Sequence, residues 1–262
     1  MKRRDFLQRT ALAGLSAGVL SEHTIAADAS LKGRDIYAFR IYTLKTTNKP
    51  VLDEYLGKAF IPALHRLGIG PVGVFTENLP PDRSAVYVLM VLQNADQIAS
   101  LPDRLAADDE YQKAGATYLA AKPTDPVYER IESSLHLAIA AMPKLQKPDT
   151  SQARILNLRI YESHNERAAN KKIEMFNEHE MPIFLRVGLT PVFFGETLVG
   201  SNMPNLTYML VFPDDPARAA AWKRFGGDDE WKKLKAVPEY ADKEIVSRIT
   251  NKILTPEPYS EI

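Results

Sequence analysis

The 262-residue chain contains no cysteine. Disulfides, thiolate nucleophiles and cysteine-based zinc or iron–sulfur sites are therefore excluded. Basic and acidic residues balance, with 33 of each, so no cationic excess is present to neutralise nucleic-acid phosphates. We therefore expect no nucleic-acid partner. The hydrophobic fraction of 45% is that of an ordinary globular protein.

Several catalytic and ligand-binding motifs are also missing. The chain has no G-x-S-x-G, no P-loop and no G-x-G-x-x-G, which disfavours serine acyl transfer and nucleotide binding. Its five histidines show no H-E-x-x-H or comparable spacing, so we predict no metal site. The apolar run at residues 11–20 is too short to span a bilayer, and we expect no stable membrane span.

The N-terminal residues have the features of a targeting signal. An R-R-x-F-L motif at residues 3–7 precedes the apolar run, and small residues follow it. This arrangement resembles a twin-arginine export signal; the alternatives are a generic secretory signal and a frayed basic terminus. We predict that residues 1–29 form a signal peptide cleaved after Ala26 or Ala29, and that the mature protein is periplasmic or otherwise exported.

Four blocks of sequence occur twice in the same order, and each second copy begins 119–121 residues after the first. A long internal period indicates a duplicated unit. The segment between the copies contains prolines and no apolar period, as is typical of a linker. We predict one domain at 30–140, a linker at 141–153 and a second domain at 154–262. The paired blocks are F-R-I-Y (39–42) with L-R-I-Y (158–161), I-P-A-L-H-R-L-G-I-G-P-V (61–72) with M-P-I-F-L-R-V-G-L-T-P-V (181–192), Y-V-L-M (87–90) with Y-M-L-V (208–211), and D-D-E-Y-Q-K (108–113) with D-D-E-W-K-K (228–233).

Hydrophobic periodicity gives the elements of each unit. Pro62 and Pro182 are predicted to kink or restart the first helix, because proline lacks a backbone donor. The order is β-α-β-β-α-β, and it occurs twice. In the first unit we predict strands at 36–44, 71–78, 84–92 and 127–139, a helix at 51–68 that ends at Gly68, and a broken helical stretch at 95–119.

This order is that of a ferredoxin-like unit, which carries its helices on one face of the sheet. The other face must be covered. We therefore predict an α+β fold in which two tandem ferredoxin-like units pack sheet to sheet as a pseudo-dimeric α/β barrel.

Strand alternation sorts the residues of the first strand in each unit by face. Phe39 and Ile41 share one face, and Arg40 and Tyr42 share the other. Arg159 and Tyr161 repeat the polar pair in the second unit. We expect the apolar residues to pack on the helices and the Arg/Tyr pairs to face the interior between the sheets. An arginine there holds an anion or a carbonyl oxygen, or else forms an internal pair with a glutamate.

Histidines and tryptophans supply the remaining candidates. His179 stands between two glutamates, which favour its protonated form and suit it to acid–base catalysis; a solvated helix surface is the alternative. His136 shares the polar face of its predicted strand with Glu132. Trp222 and Trp231 either line an apolar pocket or anchor a helix on the sheet.

Both halves resemble the NIPSNAP family, a branch of the dimeric α/β-barrel superfamily, and the second half does so more strongly. Phe176, His179, Phe184 and Gly188 match the family's F-x-x-H stretch and its terminal glycine, and W-K-R-F-G-G-D-D-E-W at 222–231 matches its tryptophan-bounded stretch. The first half departs from the pattern, since Ala59 stands in the place of the histidine. The resemblance implies the barrel fold but no particular reaction. Related barrels include cofactor-free monooxygenases, muconolactone-type isomerases and haem peroxidases, whose G-x-x-D-G motif is absent here.

Three functions stay open. The first is binding of a small apolar or aromatic ligand between sheet and helices of the second unit, with His179 as acid or base and Arg159 and Tyr161 positioning an oxygen. Such a protein is a binder or a cofactor-independent monooxygenase or isomerase. The second is a non-catalytic structural or interaction module. The third is a haem protein with His136 or His179 as axial ligand, although no cofactor is expected. We also expect a homo-oligomer.

Overall fold

Eight β-strands form the framework of the computed structural model, which describes residues 33–77 and 79–262. Strands form where β-branched and aromatic side chains are dense, because these pack well on a pleated surface. The predicted signal peptide lies outside the described residues. The strands are β1 (Ile36–Lys45), β2 (Val72–Glu77), β3 (Arg83–Leu92), β4 (Arg130–Ala138), β5 (Ile155–Glu162), β6 (Thr190–Val199), β7 (Asn205–Phe212) and β8 (Arg248–Pro256).

Short helices connect β1 to β2, β3 to β4, β5 to β6 and β7 to β8. None of the helices among the described residues has the length and apolar character needed to cross a membrane. The α-helices are α1 (Lys49–Tyr55), α2 (Ile61–Arg66), α3 (Asp96–Ala99), α4 (Leu101–Ala106), α5 (Asp109–Ala114), α6 (Ala116–Leu119), α7 (Glu166–Met175), α8 (Met181–Val187), α9 (Asp215–Gly227), α10 (Asp229–Leu234) and α11 (Asp242–Ile245), with 3₁₀ turns at Thr46–Asn48 and Pro238–Tyr240.

The first helix of each half changes its pitch before a proline. Helix α1 runs through a π-helical segment, Leu56–Phe60, into α2, whose first turn contains Pro62. Helix α7 likewise runs through Phe176–Glu180 into α8 and Pro182. Proline has no backbone N–H to donate, and the change from π to α pitch falls at the residue before each proline. The sequence predicted a kink or a restart at both prolines, and the structure shows a continuous helical backbone whose pitch changes there.

The strands close into one antiparallel barrel in the order β1-β3-β2-β8-β5-β7-β6-β4. Each half contributes four adjacent strands, and the halves join where β2 pairs with β8 and β4 pairs with β6. The predicted barrel is therefore confirmed. The two sheets meet by hydrogen bonds along both edges as well as through their inner faces, and Gly33–Ile262 forms one compact unit.

The C-terminal tail reinforces the short β2–β8 joint. Strand β8 extends two residues beyond Leu254 and ends at Pro256. Past the strand, Ser260 accepts a hydrogen bond from the Val74 amide at 2.9 Å, and the side chain of Glu261 accepts one from the Val72 amide at 2.6 Å. Ile262 is fully buried in the barrel. The tail thus satisfies backbone donors that β8 does not reach.

The two faces of the first strands are the reverse of the prediction. Phe39 and Ile41 lie inside the barrel with other apolar side chains, whereas Tyr42 packs among helix residues. Tyr161 likewise packs against the helices of the second half. Both faces of β1 are rich in apolar residues, so alternation separated the faces without showing which one the helices cover.

The repeated D-D-E block has a structural explanation. Asp108 caps α5 by accepting from the Tyr111 amide, and it binds Arg66 at the end of α2. Asp228 caps α10 in the same way and binds Arg186 of α8. The first aspartate of each block therefore caps one helix and fixes it to another.

The close joint between the halves predicts that Gly195→Ala destabilises the protein. A Cβ at Gly195 would lie 2.7 Å from the Cβ of His136, and neither backbone can withdraw without opening the β4–β6 pairing. We expect a loss of about 1–3 kcal/mol in urea unfolding. The control is Gly226→Ala, where no atom lies within 4 Å. That substitution should be neutral or stabilise by about 0.5 kcal/mol, and an equal loss in both variants would contradict this account.

Candidate functional site

A polar cluster lies between the sheet and the helices of the second half. Arg159 projects from β5 with its guanidinium carbon 4.4 Å from the ring centre of Trp222 on α9. Its Nη2 donates to the Tyr161 hydroxyl at 3.2 Å. Arg159 and Trp222 are both half-buried, so the guanidinium lies at the edge of the core within reach of solvent. A planar cation over an indole is a favourable stacking arrangement.

Tyr161 receives two hydrogen bonds in this cluster. Tyr208 donates to it at 2.9 Å, and Arg159 donates to the same oxygen. Burial raises the pKa of Tyr208 well above its ordinary value, which keeps that donor protonated. Among the described groups, none accepts the hydrogen of Tyr161 itself, and the buried Nε of Arg159 has no partner. Both groups are therefore buried donors without an acceptor among the described residues.

Two asparagines fix the geometry of these donors. Asn157 is fully buried and accepts from the Trp222 indole at 3.1 Å. It donates to Asn251 at 2.7 Å, and Asn251 also accepts from Arg159 at 3.3 Å. We call Arg159, Tyr161, Tyr208, Trp222, Asn157 and Asn251 the Arg159 cluster. Buried polar networks of this kind hold side chains in one arrangement.

An ion pair is buried beside the cluster. Lys172 of α7 and Glu180 of the π-helical segment lie 2.8 Å apart, each with a side chain 2% exposed. The ammonium lies 4.6 Å from the Phe176 ring centre and 5.3 Å from that of Tyr161. Burial raises the pKa of Glu180, while the charge of Lys172 opposes that rise. Removing two charges from water is costly. Their mutual attraction offsets that cost only where the geometry is good and further hydrogen bonds are made.

The first half lacks most of this polar network. Arg40 lies 5.5 Å from the ring centre of Phe60, and Tyr42 is buried among helix residues. Strand register places Val88 beside Arg40, where Tyr208 lies beside Arg159. By the same comparison, Ala38 occupies the position equivalent to Asn157, and Ser133 occupies the position equivalent to Asn251. When the two π-helical segments are aligned, Leu52 is equivalent to Lys172 and Phe60 is equivalent to Glu180.

Of the remaining predicted residues, Trp231 lies near the polar cluster and His179 does not. Trp231 is buried on Phe225 at 4.3 Å between ring centres, and the Lys172 ammonium lies 5.8 Å from its ring centre. It borders the ion pair. His179 has a side chain 46% exposed, 3.8 Å from Glu178, and its ring lies 5.7 Å from that of Tyr240. The structure does not bring His179 to the Arg159 cluster.

His136 lies on the opposite side of the sheet, inside the barrel. Its Nε2 is 2.7 Å from the Ser134 hydroxyl and its Nδ1 is 2.9 Å from the Thr197 hydroxyl. Burial lowers its pKa from 6.5 to about 4, so the ring is neutral at pH 7. Across residues 33–77 and 79–262, no three histidine or carboxylate side chains lie close enough together to share a metal ion.

Sequence reasoning found Arg159, Tyr161 and both tryptophans but missed the groups that complete the site. Lys172 and Glu180 could have been identified most easily, because they are charged residues at positions where the first half has Leu52 and Phe60. A residue-by-residue comparison of the two halves would have exposed that difference. The difference at Tyr208 could not be seen in the sequence, because the repeated blocks align Tyr208 with Tyr87. Strand register shows that the equivalent position in the first half is Val88.

Part of the chain matches a known protein family by sequence. Residues 156–261 match the sequence model of the family described as NIPSNAP. No curated protein matches the chain. A Burkholderia xenovorans structure described as an uncharacterized NIPSNAP-like domain protein is 20% identical, with a TM-score of 0.38, and covers 42% of this chain and 90% of its own.

Two solved structures resemble nearly the whole described barrel. One, from Lactobacillus acidophilus, is described provisionally as a monooxygenase; it has a TM-score of 0.56 and 12% identity, over 85% of this chain and 94% of its own. The other is described as an anthrone oxidase-like protein; it has a TM-score of 0.52 and 8% identity, over 87% of this chain and 93% of its own. At these identities the likeness is one of fold.

Replacing Lys172 alone is predicted to be strongly destabilising, whereas replacing the ion pair is not. Lys172→Leu leaves a buried carboxylate without a partner and should cost about 3–5 kcal/mol in denaturant unfolding. The double variant Lys172→Leu/Glu180→Phe adopts the residues of the first half and should recover most of that loss. A double variant as unstable as the single one would contradict our assignment of the two positions as equivalent.

The neutral state of His136 predicts a pH-dependent stability. The folded-state pKa of about 4 lies below the ordinary 6.5, so the unfolded chain binds the proton more readily. Stability due to this group is complete above pH 6.5 and is lost as the pH falls towards 4, by about 3 kcal/mol in all. Urea unfolding from pH 7 to pH 4 should show a smaller fall for His136→Asn than for the unchanged protein. Parallel curves would refute the burial argument.

Proposed function

We propose that the second half binds a small planar, largely apolar molecule carrying an acidic hydroxyl or a carbonyl oxygen, at the Arg159 cluster. One observation carries the proposal: the Nε of Arg159 and the hydroxyl hydrogen of Tyr161 are donors without an acceptor among the described residues. Both point to a ligand oxygen, preferably an anionic one, because a charged acceptor gains most from such donors. Trp222 would supply the apolar surface for the ring.

The difference between the two halves supports this assignment. The two halves have the same fold. Leu52, Val88 and apolar neighbours fill the first half, whereas the second half contains a costly polar network at the matching positions. Stability alone does not require the network, since the first half does without it. We infer that a duplicated ferredoxin-like unit kept its ligand site in the second copy, while the first copy serves as its structural partner.

We further propose that the bound molecule reacts as its anion, in a cofactor-independent oxygenation or isomerisation. Arg159 and Tyr161 would stabilise the negative oxygen and so favour loss of the substrate's proton. In an oxygenation, the proton passes to solvent and the resulting carbanion reacts with O₂. One oxygen atom becomes the new carbonyl oxygen, and the other leaves as water, which accounts for the two hydrogens lost from the reacting carbon. The fold shared with proteins described as a monooxygenase and an anthrone oxidase-like protein makes this chemistry the natural one to test.

The haem alternative finds little support in the residues. Both ring nitrogens of His136 are already engaged by hydroxyls. The adjoining cavity measures about 130 Å³, whereas pockets for drug-sized ligands occupy about 300–1,000 Å³. A non-catalytic binding module stays the alternative, and turnover separates it from the enzyme. Export through the twin-arginine pathway and homo-oligomerisation are likewise part of the proposal.

The proposal predicts different effects for the two equivalent arginines. With dihydroxyanthrone as substrate, Arg159→Gln should lower kcat/KM for O₂ consumption and quinone formation by about 10²-fold or more, since it removes donors to the developing oxyanion. Arg40→Gln, the matched change in the first half, should leave the rate within about two-fold, which is near the ordinary effect of a remote change.

The measurement is oxygen-electrode turnover together with tryptophan fluorescence, which reports binding through Trp222. Binding without turnover would identify the chain as a binder. Equal effects of the two arginine changes, or no binding of any planar hydroxyl compound, would overturn the assignment of the site.

A further inference from the structure

A second polar site lies inside one end of the barrel. A cavity of about 130 Å³ opens there beneath the turn that joins β6 to β7. Phe39, Ile41 and Ile160 form its apolar wall. Ile160 faces this cavity, while its neighbours Arg159 and Tyr161 belong to the helix-covered face of β5. The cavity and the Arg159 cluster are therefore on opposite sides of the sheet. The cavity's polar lining is Glu132, Ser133, Ser134, His136, Thr197, Ser201, Asn202, Asn205 and Thr207.

Asn205 fixes the direction of the hydrogen bonds in this lining. Its Nδ2 lies 3.2 Å and 3.0 Å from the backbone carbonyl oxygens of Ser201 and Asn202, which can only accept. Its Oδ1 must therefore face the hydroxyls of Thr197 at 2.6 Å and Thr207 at 3.0 Å, and both donate to it. Each threonine has thus committed its single hydroxyl hydrogen.

The same reasoning fixes the tautomer of His136. The Thr197 hydroxyl has given its hydrogen to Asn205, so it accepts from His136 Nδ1–H at 2.9 Å. The neutral ring then carries a lone pair on Nε2, to which the Ser134 hydroxyl donates at 2.7 Å. Ser134, like the two threonines, has no hydrogen left for a ligand.

The three hydroxyls around His136 therefore present acceptors only, whereas Ser133, Ser201 and Asn202, elsewhere in the lining, carry side-chain donors. Ser134, Thr197 and Thr207 offer lone pairs only, and Glu132 adds a carboxylate at the rim. Neither lysine nor arginine is among the residues that line the cavity, and among the described residues no cation lies within ion-pair distance of Glu132. A ligand group that bonds to the hydroxyls of Ser134, Thr197 and Thr207 must bring its own donors, and Glu132 would attract a positive charge.

We propose that this cavity binds a small organic ammonium compound, whose N–H groups bond to the hydroxyl oxygens of Ser134 and Thr207 and whose charge is balanced by Glu132. The volume admits a molecule of a few heavy atoms, and the apolar wall accommodates a short alkyl chain. This site is independent of the proposed chemistry at Arg159.

Three probes of similar size separate the requirements. Ethanolamine, which is cationic at pH 7.5, supplies both charge and donors. Ethylene glycol has nearly the same shape and carries donors without charge, and tetramethylammonium carries charge without donors. In ¹H–¹⁵N NMR titrations of the full chain, ethanolamine should show saturable millimolar binding that shifts the amides of Ser134, His136 and Thr207. The other two probes should bind at least about ten-fold more weakly, since a hydrogen bond to a charged group contributes roughly that factor.

Substitution at the rim tests the role of the carboxylate. Glu132 is exposed, so Glu132→Gln should leave the fold intact and weaken ethanolamine binding about ten-fold. Glu54→Gln, a matched change on the exposed surface of α1, should leave it unchanged. Arg159→Gln should also leave it unchanged, which separates this site from the proposed one. Equal affinity for all three probes, no saturable binding, or no effect of Glu132→Gln would each overturn the proposal.

The tautomer is tested without any ligand. The ¹⁵N chemical shifts of the His136 ring should identify Nδ1 as protonated and Nε2 as a lone-pair acceptor at pH 7.5. An Nε2–H tautomer would reverse the bonds to Ser134 and Thr197, return a donor to the cavity and contradict the proposed ligand class.

Discussion

Closure of the barrel is the constraint on which the rest of the structure depends. Each half has two sheet edges, and an unpaired edge leaves a row of backbone donors and acceptors unsatisfied. Pairing of β2 with β8 and of β4 with β6 removes all four edges within a single chain. It also encloses one face of every strand, so the helices cover only the outer face. A residue on these strands lies either in the barrel or beneath a helix, and the two candidate sites occupy these two environments.

The closed framework tolerates differences between its halves. The first half fills the space between sheet and helices with apolar side chains such as Leu52 and Phe60. The second half places Lys172 and Glu180 at the matching positions, with no loss of regular structure in the surrounding strands and helices. Because the backbone is already held by barrel closure and by the paired arginine–aspartate contacts of the helices, a costly polar network is affordable in one half. This division is the basis on which we assign the proposed ligand site to the second half.

Much of the fold was accessible from the sequence because it depends on local periodicity and on a repeat. The strands, the disturbance of the helices at Pro62 and Pro182, and the barrel all follow from these signals. The faces of β1 and β5 were assigned the wrong way round, because Tyr37 and Phe39 inside the barrel are as apolar as Ala38 and Leu44 beneath the helices. The partners of Arg159 come from four different elements, and only strand register brings Tyr208 and Asn251 beside it.

The central claim is that two donors without an acceptor in the protein, Arg159 Nε and the Tyr161 hydroxyl, bind a ligand oxygen. A crystal structure of the protein bound to a planar hydroxyquinone, a product analogue of the proposed reaction, tests it directly. The account predicts one ligand per chain in the second half, with its ring on Trp222 and an oxygen within hydrogen-bonding distance of Arg159 Nε and the Tyr161 hydroxyl. A ligand seated instead near Arg40, or bound in the second half with no oxygen on these two donors, would contradict it.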